Sequence, residues 1–141
     1  MDTRRGLLIV GAAGVLASGY MHFYLYLWGG YRGISIDRIA GIDISRSFAL
    51  NAVAGLLIAE ALVLSLRYDR LAAPAAALGI LFAAGAIVGY TLARSSGLLG
   101  FTESGWSTEA VIAMVAEVVA IASLAGVLAL SVRGRVVQPA T

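Results

Sequence analysis

The 141-residue chain has no cysteine, no lysine, one histidine and only 13% charged residues. Without cysteine there is no disulfide, no thiolate metal site and no thiol nucleophile. One histidine excludes bis-histidine haem ligation and a three-histidine metal centre within a single chain. No glycine-rich phosphate loop, HExxH pair, nucleophile elbow or EF-hand pattern occurs, so nucleotide, hydrolase and divalent-metal chemistry have little support and an enzyme is not the expected reading. No basic run is long enough to hold anionic lipid specifically. The scarcity of charge, set against 60% apolar residues, excludes a water-soluble domain of this size.

What is present is four apolar stretches, over residues 6–28, 47–66, 71–94 and 107–131, each long enough to cross a bilayer as a helix. They leave no room for a separate soluble domain, so residues 1–141 are expected to form one all-α unit, an antiparallel four-helix transmembrane bundle with short loops. A cleaved secretory signal around Ala17, Ser18 and Gly19 is the weaker reading of the N-terminus. The apolar run does not stop there but continues through Tyr20 to Trp28, the length of a full span. The ten arginines lie between or beyond the spans and report topology rather than nucleic-acid binding. Arg4, Arg5, Arg67, Arg70, Arg133 and Arg135 fall on one side and Arg32, Arg38, Arg46 and Arg94 on the other. The larger set marks the cytoplasmic side, which places both termini there and the protein in a bacterial plasma membrane as a multi-pass chain.

The first span ends in the densest aromatic cluster of the chain, from Tyr20 to Tyr31, and its rings suit the headgroup level. Residues 29–46 form the longest loop and contain a near-repeat, Gly-Ile-Ser-Ile-Asp-Arg at 33–38 and Gly-Ile-Asp-Ile-Ser-Arg at 41–46. Its alternation suits a short strand pair, an interfacial segment, or a plain connector along the headgroups. The link around Asp69 is so short that spans two and three must be antiparallel neighbours, and Pro74 falls in a first turn, where a missing backbone donor is harmless. Small residues recur at helical spacing: Gly11, Gly14 and Ser18; Asn51, Gly55 and Ala59; Gly79, Ala83 and Ala86; Ala113, Ala116 and Ala120. These faces are expected to be the inward seams.

Ionisable groups inside spans cost about 2.5–3.5 kcal/mol on insertion scales, so each needs an explanation. His22 continues the Gly14–Ser18 seam, with Tyr26 four residues on, and at similar depth the other helices offer Asn51, Tyr90 and Arg94. This cluster would suit a quinone headgroup held by His22, with Tyr90 and Arg94 fixing it, or a haem if a dimer, another ligand type or a partner completed the ligation. A buried histidine satisfied by a tyrosine or asparagine would leave the same pattern. Glu117 and Glu60 lie within about one turn of each other in depth, and would make a proton-sharing pair if spans two and four adjoin. Glu60 lies about 180° around its helix from Asn51, so one of the two must face a neighbouring subunit or lipid. Glu103 and Glu109 read as ordinary solvated or interfacial acids.

Residues 24–32 (Tyr-Leu-Tyr-Leu-Trp-Gly-Gly-Tyr-Arg), 48–55 (Phe-Ala-Leu-Asn-Ala-Val-Ala-Gly) and Gly89-Tyr90 with 97–103 (Gly-Leu-Leu-Gly-Phe-Thr-Glu) resemble segments of small uncharacterised four-span membrane proteins of high-GC actinobacteria. The resemblance covers most of the chain and implies the four-span fold but no activity. Small multidrug carriers share only the span count, since their membrane carboxylate lies in the first helix. Three functions stay open: an accessory or structural subunit of a plasma-membrane assembly, an energy-transducing one included; a site for a lipophile or redox cofactor centred on His22, Tyr26, Asn51, Tyr90 and Arg94; and a proton-coupled carrier using Glu60 and Glu117. The expected partners are membrane lipid and either other membrane subunits or further copies of the chain, with no nucleic acid.

Overall fold

The computed structural model describes the backbone of residues 2–34 and 39–136 and the side chains up to residue 132. The chain forms four long helices, α1 (Thr3–Leu27), α2 (Ile44–Leu64), α3 (Ala72–Ser95) and α4 (Thr108–Val136), with a single 3₁₀ turn at Asp69–Leu71 leading into α3. All four are long and apolar enough to cross a membrane, so the expected all-α four-span bundle is what forms. Their starts follow local chemistry. The Asp2 and Asp43 carboxylates accept from the backbone N–H of Arg4 and Arg46, and the Ser107 hydroxyl accepts from that of Ala110. Pro74 sits in the first turn of α3, where its missing N–H leaves no helical bond broken.

The helices make a ring in chain order. α1 packs along α2 and α4, α3 closes the ring against α4 and α2 and also reaches α1 across the middle, while α2 and α4 stand at opposite corners with no Cα atoms within 8 Å of each other. The small-residue seams lie where the helices meet. A methyl group on Gly14 would fall 2.7 Å from the Ala116 carbonyl oxygen, and one on Gly55 would fall 2.8 Å from the Gly19 Cα. Within lipid there is no water to expel from between helices, so this close backbone approach, with the dispersion contact it permits, is what holds the bundle together. Gly19, read from sequence only as a small residue near a cleavage motif, is the missing half of the α1–α2 seam.

The two ends of the bundle differ. The end that carries the chain termini is tightly filled by Leu8, Val15, Leu62, Leu124 and Val127 with interleaved alanines. The other end carries both long connections. Each contains a two-residue turn in which both central residues have positive φ, Ala40-Gly41 between Ile39 and Ile42, and Leu99-Gly100 between Leu98 and Phe101. This is the I′ geometry, which folds the chain sharply back on itself. The Ile39–Ile42 bridge is all that the described part of the near-repeat contributes to pairing; residues 35–38, Arg38 included, lie outside the described residues, as do the side chains of Arg133 and Arg135. Outward, the helices present leucine, valine and isoleucine, while Ser18, Ser65, Glu117 and Ser123 are buried. Polar inside and apolar outside is the arrangement a bilayer imposes.

The seams have a direct test. Gly14→Ala should destabilise the protein by about 1–3 kcal/mol through overpacking against the Ala116 carbonyl. Gly85→Ala, at an exposed helical position with nothing within 4 Å of the added methyl, should stabilise it by about 0.5 kcal/mol. Thermal unfolding of the two variants in detergent, followed by circular dichroism, measures both signs.

Candidate functional site

At the loop end the four helices diverge around a cavity of about 120 Å³. The room exists because the facing side chains are small: Gly85, Ala86, Gly89 and Ala93 from α3, and Ala110 and Ala113 from α4. Its floor and one wall are polar. Gly14 lets α4 approach α1 closely, and one turn further along α1 the fully buried Ser18 hydroxyl donates to Glu117 Oε1 at 2.8 Å. That bond meets the requirement that a carboxyl buried at this depth keep a partner. The carbonyl of the same Ser18 accepts from His22 Nδ1 at 2.9 Å. A carbonyl can only accept, so Nδ1 carries the hydrogen, and in the neutral ring Nε2 offers a lone pair. Ser18 therefore links His22 and Glu117 on one cavity wall.

Three polar groups on this cavity have unused bonding capacity. Among the described residues, His22 Nε2, Glu117 Oε2 and the Asn51 side chain have no hydrogen-bond partner. The His22 ring lies 5.4 Å from that of Phe48, which rises one turn before Asn51 on the same face of α2.

The two long connections meet over the mouth. Tyr31 stacks on Phe48 with ring centroids 4.3 Å apart, meets Phe101 edge-on at 5.5 Å, and donates its hydroxyl to Glu103 Oε2 at 2.6 Å. Glu103 is anchored in turn, its backbone N–H bonding the Ala93 carbonyl at the end of α3. The first connection is pinned by Gly33, whose N–H donates to the Ser45 hydroxyl. Burial, then the hydrogen bond to Glu103 and the negative charge beside it, push the Tyr31 phenol well above its ordinary range.

Of the residues singled out from sequence, His22, Asn51, Tyr90 and Glu117 line this one cavity. Tyr26 does not line it; the α1 neighbour of His22 on the wall is Leu25. Arg94 lies instead on a separate, shallower recess between α3 and α4, with Tyr90 and Met114 shared between the two. Glu60 is exposed on the surface of α2, and because α2 and α4 stand at opposite corners, the Glu60–Glu117 pair does not form. Glu117 joins His22 rather than Glu60. Sequence reasoning gave Tyr31 and Phe48 no role in the site, read Glu103 as an ordinary solvated or interfacial acid, and took Ser18 for packing alone. The spacing of Phe48 to Asn51 was a usable signal, whereas Glu103 is recruited only by the fold of its loop.

Among the described residues no group of three or more His, Asp or Glu side chains converges to hold a metal ion. The cavity has room for about one six-membered ring, being of the order of a benzene-sized void. A four-pyrrole macrocycle does not fit it. Comparison with protein-family models, curated proteins and solved structures returns no match for this chain.

The cover over the mouth can be tested through pH. Because the fold holds the Tyr31 phenol un-ionised, the folded state keeps that proton where the unfolded chain, with its phenol near 10.0, has lost it. The stabilisation is therefore complete below about pH 10 and falls away as pH rises further. Tyr31→Phe should lower stability at neutral pH by roughly 1 kcal/mol through the lost Glu103 bond, and should flatten the alkaline limb. Thermal melts across pH, with tyrosinate absorbance followed in parallel, report both effects.

Proposed function

We propose that this chain is a membrane-embedded binding protein that takes the ring headgroup of an amphiphile into the cavity at its loop end. The observation that carries this reading is the convergence of His22, Asn51 and Glu117 on one ring-sized cavity, with His22 Nε2, Glu117 Oε2 and the Asn51 side chain unpartnered among the described residues. A ligand that gives these groups hydrogen-bond partners gains roughly 0.5–1.5 kcal/mol for each bond made. By the arginine balance the cavity opens toward the outer face of a plasma membrane.

The bonding roles narrow the ligand class. Neutral His22 presents an acceptor at Nε2, because Nδ1–H is committed to Ser18. Glu117 Oε2 accepts as a carboxylate or donates as the acid, and Asn51 does both. A ring hydroxyl, as in a phenol or hydroquinol, gives His22 the donor it lacks, whereas a quinone carbonyl does not. Phe48 and Tyr31 supply the aromatic walls for a flat ring, and the apolar tail would leave between the helices into lipid.

A second reading, an accessory subunit of a larger plasma-membrane assembly, is favoured by α2. It has the smallest share of its span buried inside the chain, 17% against 28–39% for the others, and it carries Glu60 on its outward face. An ionisable group facing outward from a span is the kind of feature a neighbouring subunit covers. Co-migration with defined larger subunits, after gentle extraction from the host, would be the sign of that role.

The binding reading is tested with hydroquinone and 1,4-benzoquinone as probes on detergent-solubilised protein, by calorimetry. The quinol should bind at least tenfold more tightly than the quinone, and His22→Phe and Asn51→Leu should each weaken it about tenfold, or about 1.4 kcal/mol. Equal binding of benzene, which has no oxygen, or unchanged quinol binding in both variants, would reject the site.

A further inference from the structure

The recess between α3 and α4 is a second site. It has a volume of about 230 Å³ and is lined by Tyr90, Thr91, Arg94, Ser95, Trp106 and Met114. Its centre is a cation with no counter-ion among the described residues. The Arg94 guanidinium lies 4.8 Å from the centre of the Trp106 ring and 6.0 Å from that of Tyr90. The one ion pair among the described residues joins Arg4 to Asp69 at the far end of the bundle. Arg94 Nη1 is buried and has no hydrogen-bond partner. The aromatic faces offset part of the charge but supply no acceptor oxygen for the N–H groups.

The surroundings are pre-arranged. Tyr90 donates its hydroxyl to the Gly105 carbonyl at 3.0 Å and packs 5.3 Å from Trp106, which holds the indole over Arg94. Thr91 and Ser95 donate their hydroxyl hydrogens to backbone carbonyls four residues earlier, so their oxygens remain as acceptors. One fixed cation beside two hydroxyl acceptors matches a phosphate ester that also carries alcohol groups. Arg94 lies in the last turn of a membrane span, near the level where lipid headgroups lie.

The geometry points to this recess as a binding site for a phosphate group, presented by a hydroxylated lipid headgroup such as that of phosphatidylglycerol or by free phosphate. No basic run is involved; one arginine held under an indole is the determinant, and its bidentate fork suits phosphate oxygens. The site is separate from the ring cavity and does not depend on what that cavity binds.

The chain contains two tryptophans, so Trp28→Phe leaves Trp106 as the sole indole reporter. In an uncharged, phosphate-free maltoside detergent this protein is titrated with phosphatidylglycerol, with diacylglycerol of the same chains, and with inorganic phosphate. Trp106 emission should shift saturably with phosphatidylglycerol and not with diacylglycerol. Arg94→Gln should raise the midpoint tenfold or more, with Arg94→Lys between the two. A saturable shift with inorganic phosphate alone supports the site and identifies free anion as a sufficient ligand. An equal response to diacylglycerol, no response to any phosphate compound, or an unchanged midpoint in Arg94→Gln overturns it. Should Arg94→Gln lose its helix content, the phosphatidylglycerol and diacylglycerol titrations of the protein retaining Arg94 decide the matter alone.

Discussion

Ser18 joins the packing of this protein to its chemistry. Its side chain is fully buried at the α1–α4 seam, where its hydroxyl holds Glu117 and its carbonyl holds His22. Without a donor there, a carboxyl would stand in the bundle interior unpaired, at a cost several times that of a lost neutral hydrogen bond. Ser18 can reach Glu117 because Gly14, one turn earlier, lets the α4 backbone come close enough that a methyl group would collide with it. The seam sets the distance, and the distance makes the hydrogen bond. The hydrogen bond in turn fixes where both polar groups face.

The same economy of side-chain size separates a solid end from a hollow one. Toward the termini, Leu8, Leu62, Leu124 and Val127 fill the space between four helices. Toward the loops, glycine and alanine on α3 and α4 face one another, and nothing large fills the gap until Tyr31 and Phe101 come over from the connections. Interiors are ordinarily packed to crystal-like density, so a hollow lined with His22, Asn51 and Glu117 sets this end apart from an ordinary core. The cover is made of loop residues, one aromatic stack and one hydrogen bond. Such elements open at lower free energy than the helices they join, which suits the entry of a ligand.

Much of the fold was legible in the sequence because a bilayer leaves few choices. Span lengths, the short Asp69 link and the small-residue spacing all follow from rules that act along one helix at a time. The site was legible only in part, for a reason visible in the two glutamates. Glu60 and Glu117 have the same chemistry and similar depth, and nothing local to either says which neighbour it meets. That depends on which helices occupy opposite corners, and once α2 and α4 do, Glu60 faces outward and Glu117 faces Ser18. Arg94 shows the same limit. Its depth matches that of His22, but its direction around α3 takes it to the far side of Tyr90. Depth can be counted along a sequence, whereas azimuth across a bundle is set by tertiary packing.

Tyr90 stands where those two directions part. It lines the ring cavity, while its hydroxyl, bonded to the Gly105 carbonyl, positions Trp106 over Arg94 in the recess outside. The segment from 103 to 106 touches both sites, with Glu103 holding Tyr31 over the cavity and Trp106 covering the cation. A shift of this segment that released Tyr31 would also move the indole, because three residues of extended chain span only about 10 Å and leave little slack.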